Sequence, residues 1–199
     1  MNTNEEVPFK VQIAEESITL LKQKLALTTF PDDPGRDYGA QLPVIKRLVD
    51  RWRDVYDWRR HEAEINELPQ FRRMVDVENF GQLQVHYVHK KSRVECAIPM
   101  LFVHGCKPTF ICQFPHWHMH FFFIVGPGSF LEVRKILPLL TEPEDSSHPS
   151  FHVVALSLPG YGFSSAPTKS GFGIPQHAEV SCLKFSPYFF CEERNPALP

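Results

Sequence analysis

Long apolar runs are missing from this sequence. The most membrane-like stretch, Met119 to Val125, is seven residues long, far short of the roughly 20 that a bilayer-spanning helix needs, so no membrane segment is expected. An excess of one charge is missing as well. With 21 lysines and arginines against 23 acidic residues, nothing favours nucleic acid or an anionic membrane surface as a partner. The opening MNTNEEVPFK lacks the basic flank and greasy core of a secretory signal. Cysteine is sparse, with five residues in an odd count (Cys96, Cys106, Cys112, Cys182, Cys191). Without an export signal, this implies free thiols in a reducing, cytoplasmic compartment rather than a disulfide framework. No Gly-x-Ser-x-Gly elbow occurs, so a serine nucleophile on such a turn is not expected.

What the chain does have is patterning. Its 199 residues can bury one good core, as one domain or the front of a larger one. Pro8 to Ile13 alternates like a strand or an extended arm. From Ala14, Ile18, Leu21 and Leu25 recur at helical spacing, with Glu15 and Glu16 well placed in the first turn. A punctuated loop, TTFPDDPGRDYG, leads to a second helix near Leu42, with Pro43 in its first turn and Ile45, Leu48, Trp52, Val55 and Tyr56 on one stripe. Arg47, Arg51, Arg53, Arg59 and Arg60 resemble a DNA-binding stripe, but Asp50, Asp54, Asp57, Glu62 and Glu64 interleave them. A solvated, ion-paired face is the expectation.

A third short helix is expected around Glu62 to Leu68, ending at Pro69. MVDVENFGQLQVHYVHK then alternates as two strands joined by a turn containing Asn79 and Gly81, which places His86 and His89 on the surface or edge of a hairpin. IPMLFVHG and FHVVALSLPG differ in kind. Their unbroken apolar runs indicate strands buried on both faces, as in a parallel sheet. Phe130, Val133, Leu137 and Leu140 form a helical stripe between them, so strand, helix and strand make a βαβ unit of an α/β fold.

With these elements in place, the chain closely resembles the N-terminal region of the fungal and bacterial epoxide hydrolases, within the α/β-hydrolases. The matching stretches are PFKVQI (8–13), LALTTFPD (25–32), WRDVYDWRRHEAEIN (52–66), LPQF (68–71), LFVHG (101–105), PGSFLEV (127–133) and FHVVALSLPGYGFSSAPTKSGFGI (151–174). The resemblance implies an incomplete α/β-hydrolase fold. It implies an N-terminal region over residues 1–98 (helical wrap plus first strands), a first βαβ part over 99–180, and a non-family tail over 181–199. It also implies hydrolysis of small-molecule epoxides to vicinal diols without cofactor or metal, in detoxification or aromatic-compound catabolism. In that family a strand ending in His-Gly runs into Trp-Pro-Gly-Ser-Phe, and this turn supplies part of an oxyanion hole. His104, Gly105, Pro127 and Gly128 match it, while Pro159, Gly160, Tyr161 and Gly162 form a pocket-rim loop. The family's nucleophilic aspartate, lid tyrosines, second acid and catalytic histidine have no counterpart here, nor is there a Gly-Gly-Asp-Trp-Gly elbow. No complete catalytic set is therefore expected, and a non-catalytic fragment or binding module is the alternative. The sequence leaves the oligomeric state open.

Residues 106–126 stand where the family has one tryptophan. The block holds six aromatics and three alternating histidines. His116, His118 and His120 with Cys106 or Cys112 offer metal ligands, though alternate residues would need a strand to converge. FFFIV suits a partner-facing loop but cannot span a bilayer. A third origin is a translated intron. Cys106-Lys107 can be encoded TGT AAG, which contains the GTAAG start of an intron, and Val125-Gly126 can be encoded GTA GGG, which contains an AG end. Joining the outer T to the outer GG makes TGG, a tryptophan codon, and restores HGWPGSFLEV in frame. Val180-Ser181, readable as GTA AGT, offers a second such start before the unmatched tail. Genomic sequence compared with cDNA is expected to show a GT…AG intron between codons 106 and 126; different codons at either junction would sink this origin.

Overall fold

The computed structural model describes residues 5–32, 39–94, 96–104, 120–124, 128–143, 145 and 148–183. Two compact units emerge, Val11–Glu67 and a second made of Met1–Lys10 with Leu68–Pro199.

The Val11–Glu67 unit contains α1 (Glu15–Ala26), α2 (Leu42–Asp54) and α3 (Trp58–Ile65). Glu15 and Glu16 open α1 and Lys24 closes it, complementing the helix dipole. Pro43 sits in the first turn of α2, where a missing N–H costs nothing. The third helix starts earlier than its apolar periodicity predicts, because the Asp57 side chain accepts from the Arg60 N–H at 3.2 Å and caps it. The arm before α1 is tied to α3 through side chains. Asn66 Oδ1 accepts from the Val11 N–H at 2.7 Å, and its Nδ2 donates to the Val11 carbonyl at 2.8 Å. Glu62 accepts from the Ile13 N–H at 2.7 Å and pairs with Arg59 at 2.7 Å. That backbone N–H, with the Arg59 guanidinium next, holds the Glu62 carboxyl below its ordinary range.

Three arginines of the charged stripe are paired within it, as expected. Arg53 meets Asp50 and Asp54, Arg59 also meets Glu15, and Arg60 meets Glu64. Along the apolar stripe of α2, Ile45 is half-buried while Leu48 and Trp52 are exposed, Trp52 by 47 %.

The second unit is built on a six-stranded sheet in the order β1-β2-β3-β6-β4-β5. Its strands are β1 (Val7–Pro8), β2 (Gln70–Val77), β3 (Gly81–Lys90), β4 (Ile98–His104), β5 (His120–Ile124) and β6 (Phe151–Leu156). β2 and β3 pair antiparallel, and their tight turn uses positive φ at Asn79 (65°) and Gly81 (81°). β4 and β6 pair in parallel over Ile98–Val103 and Phe151–Leu156, the predicted βαβ unit. Its connecting helix is not continuous. A 3₁₀ turn at Phe130–Val133 gives way to a short α4 (Leu137–Thr141), because Pro138 has no N–H for the carbonyl four residues back and instead opens a new first turn. After β6 the chain runs through a loop into α5 (Ile174–Ala178).

β5 comes from within the block that interrupts the family motif. Its backbone pairs in parallel with β4, from Met100↔His120 to His104↔Ile124, so β4 is flanked on both sides.

The sheet's pairing registers sort its side chains by face. One carries the apolar cluster Val75, Val77, Leu83, Val85, Tyr87, Leu101, Val103, Val154 and Leu156, joined by Leu158 and Val180. The other carries Arg72, His86, Val88, Ala155, Phe102 and Met100, with buried Phe130, Val133 and Leu137 on the connection. Asn66→Ala is expected to destabilise the Val11–Glu67 unit by about 1–3 kcal/mol, the cost of stranding two backbone groups; urea unfolding with an unchanged midpoint would contradict it.

Candidate functional site

Parallel neighbours end at the same edge of a sheet, and in open α/β sheets ligands sit beyond the carboxyl ends of such strands. Here those ends are His104 on β4 and the segment after Leu156 on β6. His104 is only 2 % exposed. Its Nε2 accepts from the Leu158 N–H at 3.3 Å, which assigns the proton to Nδ1 by its partner. Burial pushes its pKa down, the Glu132 carboxylate works in the opposite direction, and His177 pushes it down further. A neutral ring whose one acceptor nitrogen is already engaged has no lone pair with which to activate water. His104 thus orients the loop after β6 and is not built as a base.

The turn entering the 3₁₀ segment is held by Ser129 and Glu132. Ser129 Oγ accepts from the Leu131 N–H at 3.2 Å, and Glu132 Oε1 accepts from the Ser129 N–H at 3.0 Å. Gly128 is needed at this turn for space, since a Cβ there would collide with Glu132 Oε1 and lie 3.2 Å from the Cβ of His104.

The predicted rim loop folds back over this edge. Gly160 (φ 84°) and Gly162 (φ 53°) adopt left-handed backbone conformations, and a Cβ at Gly162 would come within 2.8 Å of Ser157 Oγ. The Gly160 N–H donates to the Ser165 carbonyl at 3.0 Å, and the Ser165 N–H to the Gln84 carbonyl at 2.8 Å. Tyr161, 43 % exposed, sets its ring edge-on to His104 at 5.5 Å. The structure therefore gathers His104, Gly128 and the loop Pro159, Gly160, Tyr161, Gly162 at one edge. Gly105 and Pro127 lie outside the described residues, as do the side chains of the candidate metal ligands His116, His118, His120, Cys106 and Cys112. Among the described residues, no group of three His, Cys, Asp or Glu could hold a metal ion, and no helix is long and apolar enough to cross a membrane.

Sequence reasoning misplaced two histidines. His86, expected at the surface or edge of a hairpin, is 0 % exposed on an interior strand. His89 is also mostly covered, its Nδ1 2.8 Å from Glu6 Oε1, which also accepts from the Tyr87 hydroxyl at 3.0 Å. Burial works against the Glu6 charge, yet the bonds from His89 and Tyr87 outweigh it and hold the carboxyl below its ordinary pKa. What covers His86 is aromatic. Phe9, Phe130 and Phe163 lie far apart in the chain, yet all pack edge-on or tilted around His86 or one another.

Gly128→Ala is expected to drive Glu132 off the Ser129 N–H and cost about 1–2 kcal/mol. A lower urea midpoint at constant slope would record it, and an unchanged midpoint would show that the turn tolerates a side chain.

Comparison with known proteins places this edge in context. A family model described as the epoxide hydrolase N terminus matches residues 6–114, more than half of the chain. Juvenile hormone epoxide hydrolase 2 of Ctenocephalides felis is 38 % identical over 179 residues, covering 87 % of this chain and 33 % of that protein. Epoxide hydrolase 1 of Sus scrofa is 34 % identical over 183 residues, covering 87 % of this chain and 35 % of that one. The solved structure of Aspergillus niger epoxide hydrolase matches with a TM-score of 0.68 at 29 % identity, covering 89 % of this chain and 42 % of its own. The chain spans about a third of the length of the curated relatives it matches. From its matched N-terminal region and its partial α/β fold, the chain belongs to the epoxide hydrolase family of the α/β-hydrolase superfamily.

Proposed function

We propose that this chain forms the oxyanion side of an epoxide-opening site, which converts a small-molecule epoxide to a vicinal diol when the remaining two-thirds of a full-length family member is joined to it. The observation that carries this reading is the convergence of His104, the Glu132-capped turn at Gly128 and the loop at Pro159–Gly162 on one edge of the parallel strands. Backbone N–H groups at such a turn meet developing negative charge without reorganising. The turn His104, Gly105, Pro127, Gly128 then serves the oxyanion, and Pro159 to Gly162 rim the pocket.

Ring opening at a carboxylate nucleophile and hydrolysis of the ester need only positioned acids and a base, so the reading invokes no cofactor or metal. The setting is cytoplasmic, the partner is the epoxide itself, and neither nucleic acid nor membrane is engaged.

Its chemistry also divides labour. His104 has no free acceptor, so the base and the nucleophile come from elsewhere in a full-length protein. The 199-residue chain incubated with styrene oxide is expected to give no diol above a heat-treated control, and catalytic diol formation by it would refute this. A version read from spliced message, with tryptophan in place of residues 106–126 and the downstream sequence restored, is expected to turn over. Its inactivity on a panel of aryl and alkyl epoxides would overturn the assignment of the family's reaction.

A further inference from the structure

The best-built polar feature of the second unit lies beneath the rim loop, not on it. His86 is wholly buried, and both ring nitrogens are engaged. Nδ1 is 2.8 Å from Ser157 Oγ and Nε2 is 3.1 Å from Gln70 Oε1. A carbonyl oxygen such as Gln70 Oε1 only accepts, so Nε2 carries the proton and Nδ1 accepts from the Ser157 hydroxyl. The ring is boxed by Phe9, Phe130 and Phe163, with centroids 5.2, 4.7 and 5.3 Å away.

The same residue organises the loop through its backbone. The His86 N–H donates to Ser164 Oγ at 2.9 Å, Ser164 Oγ–H donates to the Ser157 carbonyl at 2.6 Å, and the Ser157 N–H donates to the His86 carbonyl at 2.9 Å. One residue thereby joins the N-terminal arm, β2, the turn after β6, the rim loop and the 3₁₀ segment.

We propose that His86 is the positioning residue of the rim: locked as its Nε2–H tautomer by Gln70, it aims the Ser157 hydroxyl inward and so fixes the path of Pro159 to Ser165. The geometry of Gly162 fits this role. Its missing side chain leaves room for Ser157 Oγ, so the rim packs directly over the hydroxyl that meets His86. Acid should release the lock. A protonated Nδ1 would donate to Ser157 Oγ and turn that hydroxyl's own proton away from the ring, and the new charge would stand opposite Arg72, the cross-strand partner of His86 and the charged group acting on it. Burial and that arginine push the ring's pKa down to about 3.

The consequence for stability has a definite sign. The unfolded chain takes up a proton near 6.5, the ordinary histidine value, whereas the folded ring resists until about 3. The His86 contribution is therefore intact above about pH 6.5 and is lost as pH falls toward about 3. Only the use of the loop as a substrate rim rests on the epoxide hydrolase reading; the positioning itself does not, and it is tested without turnover.

Long-range ¹H–¹⁵N correlation spectra of the histidine-labelled chain are expected to show His86 protonated at Nε2 alone from pH 8 down to about pH 5. A Nδ1–H tautomer, or a doubly protonated ring at pH 6, would overturn the proposal. Ser157→Ala is expected to raise amide exchange at Gly160, Ser164 and Ser165 by about tenfold while Val75 and Leu83 in the β2–β3 hairpin keep their rates. Unchanged rim exchange, or an equal rise in the hairpin, would count against positioning. Gln70→Leu, which removes the acceptor facing Nε2–H, is expected to let the Nδ1–H tautomer appear in the same spectra; an unchanged Nε2–H tautomer would show that Gln70 does not set it. Diol formation enters none of these readouts, so their failure and a failure of the epoxide hydrolase reading are separable.

Discussion

The parallel pairing of β4 with β6 is the constraint on which the second unit depends. Apart from His104 and His152 both strands are apolar, and Leu101, Val153, Val154, Ala155 and Leu156 are at most 1 % exposed. A strand dry on both faces must satisfy its backbone within the sheet, because water cannot reach it. That requirement brings the ends of β4 and β6 to one edge, where His104 accepts from the Leu158 N–H. The crossover between them must then lie on the sheet, and Phe130, Val133 and Leu137 bury themselves to hold it there.

Two buried histidines divide the work at that edge. Each is neutral and each has a single lone pair, which it has already committed. His104 spends its acceptor on a backbone N–H, fixing where the loop after β6 begins, and His86 spends its own on a hydroxyl, fixing how the loop continues. Neither can serve as a base without breaking a bond that shapes the edge. The scaffold is thus rigid where a site needs rigidity, and it is chemically quiet. This suits a part whose reactive groups would be supplied from elsewhere.

How much of this could be read in the sequence follows from the physics of each segment. The runs IPMLFVH and FHVVAL announce strands buried on both faces, and the Asn79–Gly81 turn announces a hairpin, because these signals are local. The loop at Pro159–Gly162 and the turn at Gly128 stood out through their glycines and their likeness to a family motif, while their roles as pocket rim and oxyanion donor belong to the proposal. Three features were not legible. Helical periodicity from Phe130 to Leu140 hid the break at Pro138, since a stripe records which face is buried and not whether the helix is continuous. The start of α3 was hidden because Asp57 acts through its cap and not through hydrophobicity. His86 was misplaced because alternation presumes one wet face, whereas the far face of β3 is covered by Phe9, Phe130 and Phe163, which only the tertiary fold brings near.

β5 carries a different kind of consequence. It lines the outer flank of β4, and it is encoded by the block whose ends read as splice signals. A message in which Cys106 to Gly126 collapse into a single tryptophan codon would carry the same β4, residue for residue, without β5 on that flank. An interior strand has no amides to offer a stranger, whereas an open edge is a template for whatever strand arrives first. Which strand lies against β4 would then be settled by RNA processing, before a single hydrogen bond of the sheet has formed.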